Sequence, residues 1–239
     1  MIAAGRPTRS PALVLDLDGI AVPLQVRRHP RARRVTLRLA HGEAGVVIVL
    51  PPGVGSEEGL RLARAHAGWI RSRLDARLPA VPFADGAVVP VAGEALTFRL
   101  AAGERRGVRR EGSTLVVGGD AAGAAARVQA WLKATARRAI LEQVTRRAAL
   151  LPRPPAAVTL RDTRSRWGSC SPQGRLSFSW RLILAPPFVL DYVVAHELAH
   201  LRHHGHGPAF WAAVDDLGVD AAGGRAWLRR HGSALFRYG

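Results

Sequence analysis

Short runs of strand-forming residues fill the first part of the chain: Ala12 to Leu17, Ile20 to Arg27, Arg33 to Leu39 and Val46 to Leu50. Asp18-Gly19, His29-Pro30 and His41-Gly42 part them, a pattern that predicts strands joined as hairpins. Pro51-Pro52-Gly53 breaks the sheet. Ser56 followed by Glu57 and Glu58 then reads as a helix cap, with Leu60, Ala63, Ala67, Ile70 and Leu74 at helical spacing as far as Pro79. Val88 to Val91, Ala95 to Leu100, Gly107 to Arg110 and Thr114 to Val117 predict a second set of strands, closed by Gly118-Gly119-Asp120.

From Ala121 to Leu150 the period changes. Val128, Trp131, Leu132, Ala139, Ile140, Val144 and Leu151 recur at helical intervals, predicting one long helix that Pro152, Pro154 and Pro155 end. Strands are expected at Val158 to Arg161 and Arg175 to Leu184, on either side of a loop from Arg164 to Cys170. Pro186-Pro187 opens a further helix reaching about His203. No internal repeat is visible. The expectation is an α+β fold: a β-rich N-terminal part with one amphipathic helix, residues 1–120, packed on a helical C-terminal domain, residues 121–239.

Composition narrows the classes. The 239 residues are 48% hydrophobic, enough for a core without staples, and the single cysteine, Cys170, excludes an intrachain disulfide. No apolar run approaches the roughly 18 residues of a membrane helix, and the first residues lack a signal-peptide pattern, so a cytoplasmic location is expected. The 35 basic and 18 acidic residues leave a net charge of +17, and Lys133 is the one lysine. Clusters at 27–34 and 105–110 would attract polyanions, so nucleic-acid contact through a basic surface enters as a possible partner class.

Five of the nine histidines lie between positions 196 and 206. On the helix behind Pro187, His196 and His200 are four apart and project from one face, close enough to hold one ion. Glu197, one position on, is placed to take a proton from a water that the ion polarises. Composition alone gives such an H-E-x-x-H about once in a hundred chains of this kind. Catalytic zinc takes three protein ligands and keeps one open position. His203, His204 and His206 compete for the third place. His204 continues the helical ladder about 12 Å from His196, too far for a shared ion. The Gly205 to Pro208 turn favours His206. These parts specify a zinc hydrolase and leave its substrate open.

Thr163 to Cys170, Leu176-Ser177-Phe178, Trp180-Arg181-Leu182 and Leu190 to His200 together resemble the YgjP-like metal-dependent hydrolases. The likeness extends through Arg31-Ala32-Arg33-Arg34, Pro51-Pro52-Gly53, Trp69-Ile70 and Phe210-Trp211. The resemblance implies a zincin-like metallopeptidase domain, related to the SprT and Spartan group, acting on a peptide or protein substrate, with His206 as third zinc ligand. It also implies that the loop of Arg166, Trp167 and Ser169 and the strand from Arg175 to Leu184 line the cleft. A second activity attached to such proteins, hydrolysis of UTP to monophosphate and pyrophosphate, would use Arg161, Arg164, Arg166, Arg181 and Arg202. A third reading is a nucleic-acid-binding module with structural zinc.

Other patterns are weaker. Val14 to Gly19 is similar to the D-x-D strand of aspartate phosphatases, but a turn at Asp18-Gly19 accounts for it. Cys170 reads as a small residue filling a turn, and Asp215-Asp216 receive no chemistry. Tyr192, Arg202, His203 and Tyr238 are candidate oxyanion donors.

Overall fold

The structure, a computed structural model, describes residues 13–17, 20–40, 45–75, 79–163 and 166–239. The turns expected at Asp18-Gly19 and His41-Gly42, together with Arg164 and Ser165, lie outside the described residues. The chain forms two compact units, Met1–Leu78 and Pro79–Gly239.

In the first unit β1 (Leu13–Leu17), β2 (Ile20–Arg28), β3 (Thr36–Leu39) and β4 (Val46–Leu50) form a sheet in the order β1-β2-β4-β3. The β1–β2 and β3–β4 pairs are antiparallel, as hairpin signals predict, but β2 lies parallel to β4. Leu24, Val46, Ile48 and Leu50 point to one face and bury against Leu60, Ala63 and Ile70. The predicted amphipathic helix is two: α1 (Ser56–Ala65) and α2 (Ala67–Asp75), separated at His66. Ser56 is the first helical residue and Gly55 the cap, with no side-chain cap bond.

The second unit begins with β5 (Val88–Val91), β6 (Glu94–Ala101), β7 (Gly107–Glu111) and β8 (Thr114–Gly118), in the order β5-β6-β8-β7. Again the outer pairs are antiparallel and the inner pair parallel. The strand plan of the first sheet is thus repeated, although the sequence shows no repeat. α3 (Ala124–Ala148) covers this sheet: Leu96, Phe98, Leu115 and Val117 share one core with Val128, Leu132 and Ala136. The boundary expected at 120/121 therefore falls inside this unit, where sheet and helix bury each other's apolar faces.

A third sheet, order β10-β11-β9, contains β9 (Ala157–Arg161), β10 (Gly168–Cys170) and β11 (Arg175–Ser179). The long strand expected to Leu184 stops at Ser179, whose hydroxyl accepts from the Arg181 amide and starts a 3-10 turn, Trp180–Leu184. Arg181 is buried and donates to the Asp162 carboxylate at 3.1 Å and to the carbonyls of Leu235 and Tyr238 at 3.3 and 2.5 Å. It ties the chain end to the core, which removes it from the phosphate-binding candidates. α4 (Pro187–Ala199), α5 (Pro208–Asp215) and α6 (Ala221–His231) complete the unit. Among the described residues no helix is long and apolar enough to cross a membrane.

Candidate metal centre

α4 starts at Pro187, whose missing N–H costs nothing in a first turn. Val189, Val193, Val194 and Leu198 are buried, so packing holds the helix rigidly in the core. It ends earlier than expected. His200 is the cap, and the amides of Arg202 and His203 turn back onto the Ala199 carbonyl. The following turn delivers His206 just before Pro208 opens α5.

The result is one cluster: ligand atoms of His196, His200 and His206 lie within 4.8 Å of one another. The Nε2 atoms of His196 and His206 are 3.2 Å apart. Tetrahedral zinc, with nitrogen at about 2.0–2.1 Å, separates its ligands by about 3.3 Å, so the donors fit such an ion. The other ring nitrogens are engaged behind. Nδ1 of His200 donates to the His203 carbonyl at 3.0 Å, and Nδ1 of His196 lies 3.4 Å from the Tyr192 hydroxyl. The carbonyl beside His200 can only accept, so that contact favours the tautomer that leaves Nε2 of His200 free. Phe210, fully buried, sits behind all three imidazoles with ring centroids at 4.9, 4.6 and 4.7 Å.

Electrostatics point the same way. Burial first, then the neighbouring His200, His206 and Arg225, push the His196 imidazole down to about 4, so it is neutral at pH 7. Burial also lowers His200. Glu197 is buried beside them, and desolvation raises its carboxyl to about 7, opposed in part by Arg166. A group with that affinity both takes and returns protons near neutrality.

The close approach that creates this environment comes from β10. A Cβ on Gly168 would stand 2.5 Å from Oε1 of Glu197, so only glycine lets the strand lie against the carboxylate. Cys170 is in this strand, not in a turn, and packs on the core. Burial and then Glu197 raise its thiol, which disfavours a thiolate nucleophile.

The remaining expected residues scatter. Arg166 is exposed near Glu197, and Ser169 lies half-buried on β10. Trp167 stacks on Phe236 at 5.1 Å, fixing the loop to the C-terminal segment. His203 contributes its carbonyl rather than its ring, His204 is exposed, and Tyr192 stands behind His196. Arg202 is exposed, and the Tyr238 carbonyl is held by Arg181. Sequence reasoning missed Gly168, the Phe210 backing and Arg225, whose guanidinium stacks 4.5 Å over Trp211. Gly168 and Phe210 both lie in stretches that carry the family resemblance, which does not reveal their contacts with Glu197 and the imidazoles.

No curated protein and no solved structure matches the chain. The family profile described as YgjP-like, metallopeptidase domain, matches residues 33–231. An H-E-x-x-H helix, a third histidine returned by a glycine turn and a profile match over most of the sequence make this chain a member of the YgjP-like family.

Proposed function

We propose that the chain is a zinc-dependent metallopeptidase in which His196, His200 and His206 hold the ion and Glu197 is the general base. The observation that carries this reading is the convergence of three imidazole donors next to one buried carboxylate. Zinc bound there would polarise a carbonyl and bring the pKa of a water to about 7.

Glu197 would take the proton of the attacking water and pass it to the departing amine, a task suited to a buried carboxylate beside the three imidazoles. Gly168 lets β10 lie close against that carboxylate. β10 is an outer strand of its sheet, whereas β11, the strand expected to meet substrate, is the central one. An extended peptide pairs with the free edge of β10, where Arg166, Trp167 and Ser169 are the contacting residues. Glu197→Gln should retain zinc and lose kcat by about 10²–10⁴-fold on a peptide substrate. Unchanged cleavage would remove Glu197 from the mechanism.

One observation favours a second reading, a nucleoside triphosphate pyrophosphohydrolase. Arg161, Arg166 and Arg175 surround a shallow hollow floored by Thr159, Ser169 and Ser177 on the same sheet. Glu197-dependent release of pyrophosphate from UTP, without peptide cleavage, selects it. Structural zinc needs four protein ligands as a rule, against three in the cluster among the described residues, so a purely structural ion is the weakest fit.

A further inference from the structure

Charge is distributed very differently over the two four-stranded sheets. Residues 79–120, which contain the second sheet, have 5 basic and 5 acidic side chains. The pairing is specific: Arg99 with Glu111, Arg106 with Asp120, Arg109 with Glu104 and Glu111, and Arg110 with Glu94. Residues 1–78 have 13 basic and 6 acidic side chains, a net +7. There Arg27, Arg31, Arg33, Arg34 and Arg38 are all exposed, and none forms an ion pair among the described residues.

Register sets two of these five on one face of the sheet, and the other three follow in the connection at its end. Val46, Ile48 and Leu50 of β4 face the core, so Val47 and Val49 face away from it. Arg38 of β3 pairs with Val47, and Arg27 of β2 pairs with Val49, so both guanidinium groups stand on the uncovered face on opposite sides of β4. The connection from Arg28 to Thr36 passes the same end of the sheet with Arg31, Arg33 and Arg34. Gln25 and Thr36 are the polar neighbours on that face. α2 packs against β3 and exposes Trp69, with the Arg73 guanidinium 6.0 Å over its ring.

We propose that this arginine ridge of the first unit is a docking surface for a nucleic-acid backbone. Guanidinium forks match phosphate oxygens two at a time, and five with no ion pair among the described residues are open to an external polyanion. Set along one sheet face and the adjoining connection rather than gathered in a pocket, they suit a repeating phosphate backbone more than a single carboxylate. An anionic membrane is disfavoured because, among the described residues of the unit, Val14 and Trp69 are the only exposed large hydrophobics. The inference does not depend on the hydrolytic reading of the second unit.

The test is fluorescence anisotropy of labelled 20-nucleotide DNA and RNA strands with the full chain at several salt concentrations. Two variants lower the net charge by the same five: Arg27, Arg31, Arg33, Arg34 and Arg38→Gln, and Arg99, Arg105, Arg106, Arg109 and Arg110→Gln. The ridge variant should lose more than about thirtyfold in affinity, and the slope of log K against log salt should fall by about 3. The second variant should change less than about threefold. Equal losses in both, a salt-independent affinity of the native chain, or binding to phosphatidylserine vesicles with none to either strand would each overturn the proposal. Glu197→Gln should bind the strands as the native chain does, which separates this result from the fate of the peptidase reading.

Discussion

The two four-stranded sheets share a strand order and little else. The sheet of β5–β8 shares its core with α3, the 3-10 turn and Val189 of α4, so it supports the helix that carries the histidines. Arg99, Arg106, Arg109 and Arg110 on its surface pair with carboxylates of the same sheet and its loops. The sheet of β1–β4 has its own core with α1 and α2, and among the described residues its Arg27 and Arg38 form no ion pair. One strand plan thus serves once as scaffold and once as a charged surface. What separates the roles is which helices cover each sheet and whether acids stand opposite the arginines.

Core truncations break or sharpen this contrast most strongly. Phe98→Ala, in the sheet under the metal helix, should cost about 3–5 kcal/mol and lower the temperature at which zinc is lost. Ile48→Ala, equally buried in the other sheet, should cost about 2–5 kcal/mol while leaving zinc retention unchanged, as followed by thermal unfolding with a zinc dye. A smaller effect is expected from Gly168→Ala, whose new methyl group displaces the Glu197 carboxyl. It should reduce kcat by about 10²-fold with zinc still bound.

Next in size is a pH effect on the metal-free protein. Glu197 is raised to about 7 from an ordinary 4.5, so between these values the unfolded chain has lost a proton that the folded chain keeps. Stability therefore falls as pH rises through that window. His196, lowered to about 4, acts oppositely between about 4 and 6.5. Comparing Glu197→Gln with the native chain isolates the carboxyl. In urea unfolding the variant should gain stability relative to the native chain on going from pH 4.5 to 8, by on the order of 2 kcal/mol. A constant difference would contradict the raised carboxyl. The smallest effect belongs to the surface of the second sheet, where loss of the Arg99–Glu111 pair should leave the unfolding midpoint unchanged within error.

The metal helix was the most legible part of the sequence, because four-residue spacing on a helix is a local property that packing preserves. The approach of His206 to His196 and His200 was legible for a related reason: Gly205, Gly207 and Pro208 dictate a turn whatever surrounds them. Features that depend on distant partners were not visible. Nothing local says that β2 lies beside β4, or that the first sheet's plan returns in the second. β10 reads as a loop because Gly-Ser-Cys has weak strand preference, and pairing with β11 imposes its extended form. The need for glycine at 168 belongs to Glu197, which is 29 residues away in sequence. Arg181 looked like a free cation until Asp162 and two carbonyls were found around it.

The central claim is that three particular histidines form one ion site. It is tested most directly by calorimetric titration of zinc into metal-free protein with each downstream histidine replaced in turn. One zinc per chain should bind, with affinity reduced more than about 100-fold by His206→Ala and changed less than about threefold by His203→Ala or His204→Ala. Zinc that remains tightly bound without His206, or that requires the ring of His203 or His204, would contradict the account.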